Sequence, residues 1–397
     1  MTAVLFISPT GDFANGAERS AYQLMRYLSG EGYTVFNAYP AHFPSIEPVY
    51  RTAMEKAGIR AICVPNLRWW PDSPIGDVTI PADSPADVQA VDELAKIIRE
   101  NNINTVITNT VNIYHGAIAA KKARVKHIWL IHEFPLNEFA YYRNKIDFIA
   151  KSSDAVFSVA GALNEHLSKL FAPCKLGSFL PYVEYAEACK VSDDNDKHRL
   201  ICIGLITENK NQLELLEAYA LLPKELRNNL EVVFIGSHMG EYKTACDAFI
   251  ERMNLAQVAF FGFCDHPWSQ VGTKDIVILP SKSETFGCVY AEAAMNATPV
   301  IASNCSGHIA SHELFNTGSI YPLGDAKALA SAIEYAVYNF EQVKQAAIEA
   351  APAARRVFSA EHAYSELLAE IARRDRPRRK WACSLKRAKE LSCSRTV

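Results

Sequence analysis

Short, largely apolar and β-branched runs alternate with amphipathic helical stretches along this chain, and the alternation occurs twice. In the first half, residues 3–8, 34–39, 60–64, 105–108, 127–132 and 155–159 read as strands. Helical stretches lie between them, such as 17–28, with apolar residues at 17, 21, 24, 25 and 28, and 86–99. Strands that are apolar on both faces and separated by amphipathic helices require a parallel sheet covered by helices on both sides. The second half repeats the scheme, with strands at 200–206, 231–235, 258–261, 275–279 and 299–303 and helices near 212–222, 241–253, 288–296 and 325–339. A polar stretch at 191–198 divides the halves and reads as a linker. The expected organisation is therefore α/β, with two doubly wound domains at 1–190 and 199–360, a C-terminal helix at 361–372 and a tail at 373–397. Ligands of such sheets bind at the carboxyl ends of the strands.

The chain has 397 residues, enough for two such cores. No apolar run approaches the ~20 residues of a membrane span, and the first residues lack a basic segment followed by a long apolar one, so neither a span nor a secretory signal is expected. The ten cysteines include no CxxC pair, which fits reduced thiols in a cytoplasm. The formal net charge of −3 hides an asymmetry. Residues 373–397 carry ten Lys and Arg against Asp375 and Glu390, a local +8, so the other 372 residues carry −11. A basic tail on an acidic body argues against a nucleic-acid partner, whose footprint would spread over a folded face. It suits one local anionic contact such as a lipid surface, or a merely solvated tail. The connection 65–85 contains five prolines and the pair Trp69-Trp70. Those tryptophans either meet a ligand or pin the loop to the surface.

The stretch 280–301 is the most informative. A strand ends near Pro280, a loop of small residues follows, and a helix begins near Cys288. Gly287 permits a tight turn, which presents the amides of Phe286, Gly287, Cys288 and Val289 as an anion site at a helix N-terminus. Glu284 precedes them, and Glu292 lies one turn into the helix, roughly 6 Å along its axis. A phosphate on the amides would then have a carboxylate on either side, placed to hold hydroxyl groups. A bare pair of glutamates at this spacing better fits a capped helix with a solvated Glu292, because such pairs are common. His308 and His312 are four apart, but Ile309 stands where a zinc protease carries Glu, so no metal site is expected. The chain has no G-x-G-x-x-G after its first strand, no P-loop and no G-x-S-x-G elbow. That pattern argues against a dinucleotide oxidoreductase, a P-loop kinase and a serine hydrolase.

Four motifs in order alter the balance. They are Asn15-Gly16-Ala17-Glu18-Arg19, Ile131-His132-Glu133, Gly204-Leu205-Ile206-Thr207-Glu208-Asn209-Lys210, and Glu284-x-Phe286-Gly287-x4-Glu292 with the downstream Ser306-Gly307. Together they resemble the pattern of the family 4 retaining glycosyltransferases over roughly residues 4–340. The resemblance implies a GT-B fold, with two Rossmann-like domains facing across a cleft. It implies a nucleotide-diphosphate sugar as donor, a saccharide or lipid-linked acceptor, and no cofactor or metal. It gives Glu292 the donor ribose, and it gives Glu284 and His132 the donor sugar. Lys210, Gly16 and the 286–289 amides would take the diphosphate, with positive potential where a metal would otherwise stabilise the leaving group. The pattern has Arg where this chain has Leu205, a small glycine where it has Ala297, and a glutamate near Ile309-Ala310. Arg19 is either a replacement phosphate cation or a surface residue. Two rivals stand beside a transferase: a GT-B epimerase or hydrolase, and a donor-binding protein without activity.

Overall fold

The computed structural model describes residues 2–13, 15–41, 47–67, 69, 85–185, 197–238, 240–264 and 266–373. They form two compact units, one of residues up to Phe179 together with those from Ser365, the other Leu180–Tyr364.

The first unit is built on seven parallel strands: β1 (Ala3–Ile7), β2 (Thr34–Tyr39), β3 (Arg60–Cys63), β4 (Thr105–Asn109), β5 (Lys126–Ile131), β6 (Ala155–Val159) and β7 (Gly177–Phe179). Their order is β3-β2-β1-β4-β5-β6-β7, so the chain reverses its direction of travel between β1 and β4. Every residue of β1, β4 and β5 is buried, including the polar Thr105, Thr108 and Asn109 of β4 and Lys126 and His127 of β5. The helix Gly16–Gly30 starts at an Asn15 cap whose side chain accepts the Glu18 amide, and it buries Ala21, Leu24, Met25 and Leu28. The helix Ser365–Ala372 also belongs to this unit. Its Glu366 accepts the Ser178 amide, and Lys126 Nζ caps its C-terminal end at the Glu370 carbonyl.

The second unit has six parallel strands: β8 (His198–Ile203), β9 (Leu230–Ile235), β10 (Val258–Gly262), β11 (Ile276–Leu279), β12 (Val300–Ser303) and β13 (Ser319–Tyr321). Their order is β10-β9-β8-β11-β12-β13, and the reversal falls between β8 and β11. Leu200, Cys202, Val232, Phe234, Ile276 and Ile278 form the centre of its core.

The expected α/β architecture of two doubly wound sheets is present, and most strand bounds agree within one or two residues. The run 200–206 is corrected. β8 ends at Ile203 because Gly204 takes φ +143°, a conformation that breaks the strand and that a side chain rarely adopts. A Cβ on the facing Gly236 would lie 1.9 Å from the Gly204 carbonyl oxygen, so the two turns pack backbone on backbone. β7 and β13, three residues each, are too short for their periodicity to register in the sequence. The 18-residue helix Phe340–Val357, which contains Pro352, was also not anticipated. The expected helix 361–372 is divided at Tyr364 into Ala360–Ala363 and Ser365–Ala372. The seven described cysteines are free thiols. Most of the linker 191–198, Trp70 and the tail beyond Arg373 lie outside the described residues.

Candidate functional site

In the second unit the candidate residues converge where the strand order reverses, the usual crevice for a ligand in an open α/β sheet. Two loops meet there, 204–211 after β8 and 280–287 after β11. They are tied by backbone and side chain: the Lys282 amide donates to the Asn209 carbonyl at 2.7 Å, and Asn209 Nδ2 to the Ser283 carbonyl at 3.0 Å. Lys282 pairs with Glu208 at 2.9 Å, and Lys210 Nζ reaches Glu284 Oε1 at 2.6 Å. Lys210 and Glu284, read from the sequence as separate donor contacts, are thus one ion pair. Burial alone would push the Glu284 carboxyl up. The Lys210 ammonium outweighs it, helped by His308 and the Ser281 hydroxyl, and holds the group below its usual range. Burial likewise opposes the charge on Lys210, and Glu284 more than restores it.

The helix Cys288–Met295 follows directly. Two of the amides expected to face an anion have protein acceptors: the Gly287 amide donates to Ser311 Oγ at 3.1 Å and the Cys288 amide to the Phe286 carbonyl at 3.1 Å. The fold therefore commits two of the four expected amides, leaving those of Phe286 and Val289. The part expected of Phe286 is that of its backbone amide. Its side chain is buried, stacked on Phe358 with centroids 5.7 Å apart and set edge-on to Phe315. The Cys288 thiol is pushed up to about 12 by burial and is therefore neutral. Glu292 accepts a hydrogen bond from Trp268 Nε1 at 2.7 Å. The sequence reading missed Trp268, since nothing local relates it to a helix 24 residues later.

The first unit presents its residues at the carboxyl ends of β1, β4 and β5. His132 is buried and bonded through Nε2 to Asn109 Oδ1 at 2.9 Å. Asn109 Nδ2 donates to the Ala17 carbonyl, which orients Oδ1 toward the ring and places the imidazole proton on Nε2. Burial lowers His132 to about 3, so the ring is neutral and keeps Nδ1 as an acceptor. Glu133 beside it accepts the His132 amide, and burial raises it to about 7. Glu18 is raised to about 7 by the same cause. Its Oε1 accepts from both Thr10 N at 3.0 Å and Thr10 Oγ1 at 2.9 Å, fastening the β1–helix loop. Gly16 sits exposed at the helix start, and a Cβ there would meet nothing within 4 Å. The unit's own packing does not require a glycine at that position. Arg19 is exposed and donates to the Phe13 carbonyl at 2.8 Å. Trp69 donates to the Pro9 carbonyl at 2.7 Å, an anchor for its loop.

His308 and His312 both lie on the helix Ser306–Phe315. Each turns Nδ1 to protein oxygens, and no cluster of three or more His, Cys, Asp or Glu that could hold an ion occurs among the described residues. Among those residues no helix is long and apolar enough to cross a membrane.

Residues 14–176 match the family model described as Glycosyltransferase Family 4, and residues 187–352 the one described as Glycosyl transferases group 1. With the two parallel sheets, these matches define the class, a GT-B glycosyltransferase. Among particular relatives, D-inositol 3-phosphate glycosyltransferase 1 of Catenulispora acidiphila is 28% identical over 169 residues, 40% of either chain. The capsular polysaccharide biosynthesis glycosyltransferase CapH of Staphylococcus aureus is 26% identical over 125 residues, 31% of this chain and 35% of its own. The matched stretches thus span well under half of these curated relatives. The fold likeness is more extensive. The structure of Anabaena HepE in complex with UDP and glucose superposes with a TM-score of 0.74 at 18% identity, covering 94% of this chain and 99% of that one. A mutant of S. aureus TarM, solved in complex with UDP among other ligands, superposes at 0.70 and 11% identity, covering 94% of this chain and all of that one.

Proposed function

We propose that the protein transfers a sugar, with retention of configuration and without a metal, from a nucleotide-diphosphate sugar to a saccharide or lipid-linked acceptor in surface polysaccharide or glycolipid synthesis. The observation that carries this reading is the Lys210–Glu284 pair at the strand-order reversal, in the loops that precede the helix bearing Glu292 one turn from its start. Lys210 and the remaining amides supply positive potential for a departing diphosphate. Glu292, a two-oxygen acceptor, receives the ribose hydroxyls, and Glu284 the sugar hydroxyls, its carboxylate kept ionised by Lys210. The reading also gives Gly16 the diphosphate and neutral His132 the sugar, through the Nδ1 acceptor that its bond to Asn109 leaves over. In the transfer, the bond from the anomeric carbon to the diphosphate oxygen breaks. A bond to the acceptor oxygen forms on the same face, and the acceptor's hydroxyl proton passes to the departing diphosphate. The basic segment 373–397 would hold the enzyme at an anionic membrane face where a lipid-linked acceptor lies.

The test is a thermal-shift screen against UDP-, GDP-, ADP- and TDP-sugars, since a ligand that binds the native state raises its apparent stability. UDP-sugars come first, because UDP is the nucleotide in the HepE and TarM structures. A shift with one nucleotide class, followed by acceptor-dependent release of that nucleotide, supports the reading. No shift with any of them refutes it. A second reading, a donor-binding protein without activity, draws on exposed Leu205 where the family pattern carries Arg. It predicts a shift without turnover. Turnover without any acceptor would point instead to an epimerase or hydrolase.

A further inference from the structure

The helix Ser306–Phe315 lies beneath the 280–287 loop and touches it at three places. At its start, a Cβ on Gly307 would stand 2.5 Å from the Glu284 carbonyl oxygen, so the helix backbone abuts the backbone of Glu284 directly. One turn on, Ser311 Oγ accepts the Gly287 amide at 3.1 Å and donates its own proton to the Gly307 carbonyl at 3.0 Å. The third contact runs through His308. Ser303, at the end of β12, donates its hydroxyl to the Ser281 carbonyl at 2.6 Å. That hydroxyl has one proton, and a carbonyl can only accept, so toward His308 the Ser303 oxygen is the acceptor. His308 Nδ1, 3.1 Å from Ser303 Oγ and 3.3 Å from the Ser303 carbonyl oxygen, must therefore carry the ring proton. Burial keeps the ring neutral, lowering it to about 4. The imidazole edge also lies against the turn, since a Cβ on Gly287 would come within 3.1 Å of His308 Cδ2.

The contacts fall on Ser281, Glu284 and Gly287, the two ends and the middle of the loop. Two of them depend on polar side chains of one helix. An apolar residue of similar volume at 308 would fill the same space but could not orient the Ser303 hydroxyl onto Ser281. We propose that His308 and Ser311 are positioning residues, which hold the 281–287 loop from beneath so that Glu284 and the helix amides keep the geometry that transfer requires. The catalytic part of this inference rests on the proposed role of Glu284, whereas the positional part stands on the contacts alone.

The full chain tests both parts with His308→Leu, His308→Asn and Ser311→Ala. Amide hydrogen exchange of the ligand-free protein, read on peptides covering 281–290, reports the loop without reference to activity. His308→Leu and Ser311→Ala are expected to speed exchange in that segment about tenfold and leave distant segments unchanged. His308→Asn, whose amide can donate where Nδ1–H does, is expected to restore most of the protection. With a donor found by the thermal-shift screen, the same two variants are expected to lose about tenfold in kcat while the donor KM stays within about twofold, and His308→Asn to recover the loss. Unchanged exchange in both His308→Leu and Ser311→Ala overturns the proposal, as does a His308→Asn variant no better than His308→Leu. A loss confined to KM overturns the catalytic part. Should His308→Leu fail to fold, Ser311→Ala carries the same comparison at the Gly287 contact. If no nucleotide sugar binds the unaltered protein, the functional reading fails while the exchange result still decides the positional one.

Discussion

Replacing Lys210 by methionine keeps much of the side-chain volume and removes the ammonium 2.6 Å from Glu284. Burial, the largest influence on Glu284 and one that favours its neutral form, is then unopposed by its main partner. The Lys210 side chain is 29% exposed and that of Glu284 17%, so the pair lies between two limits. An exposed pair contributes at most about 1 kcal/mol, whereas breaking a fully buried one costs about 3–5 kcal/mol. A loss of about 2 kcal/mol at pH 7 is expected, which for a unit of this size lowers the melting midpoint by about 4–8 °C. The sign with pH follows from Glu284. Held below its ordinary value of 4.5, it contributes stability that is present above 4.5 and lost as the pH falls through its lowered folded value. In the Lys210→Met protein the carboxyl shifts upward instead, and its penalty disappears on acidification. The gap between the two proteins therefore narrows as the pH falls, first from the variant's raised value down to 4.5 and then from 4.5 through the lowered value of the unaltered protein. Scanning calorimetry at pH 7.5 and pH 4 measures this, with Lys210→Met/Glu284→Gln as the control. Removing both partners leaves no uncompensated charge, so the double variant should regain most of the loss. A double variant as unstable as Lys210→Met, or a gap that widens in acid, would refute the argument.

The remaining predictions concern the donor contacts, the first unit and the tail. Glu292→Ala is expected to weaken donor binding, by titration calorimetry, and Glu284→Ala to slow transfer, each by about ten- to a hundredfold for a lost charge-assisted bond of ~1.5–3 kcal/mol. The opposite division of effects would exchange the two roles. Turnover is expected to survive EDTA, and loss of activity restored by manganese or magnesium would contradict the metal-independent reading. Glu18 is raised from 4.5 to about 7, so wild-type stability should fall as the pH rises from 5 to 8. Glu18→Gln should reduce that slope without abolishing it, because Glu133 carries a similar upward shift. Equal slopes in calorimetric scans would show that the folded state does not raise Glu18 above its ordinary value. A chain ending at Ala372 is expected to lose co-sedimentation with anionic liposomes at moderate salt, and equal binding by both lengths would remove the tail as the anchor.

The repeated alternation of apolar strands and amphipathic helices was enough to indicate two parallel sheets, because burial on both faces imposes that pattern residue by residue. It also placed Glu284, Gly287 and Glu292 around one helix start, since strand end, loop and helix are contiguous in the chain. Local pattern could not say what those residues touch. Lys210 and Glu284 are 74 residues apart and form a pair only because β8 and β11 are neighbours in the sheet. The same packing sets Trp268 on Glu292 and commits the Gly287 amide to Ser311, contacts with no sequence periodicity to announce them. His308 and His312 read from their spacing as two histidines on one helix face. The end of β12 turned the first into a donor toward Ser303, and Tyr290 and the Thr317 carbonyl took up the second. A hydrogen bond depends on where two backbones bring their atoms, and across a sheet the strand order decides that.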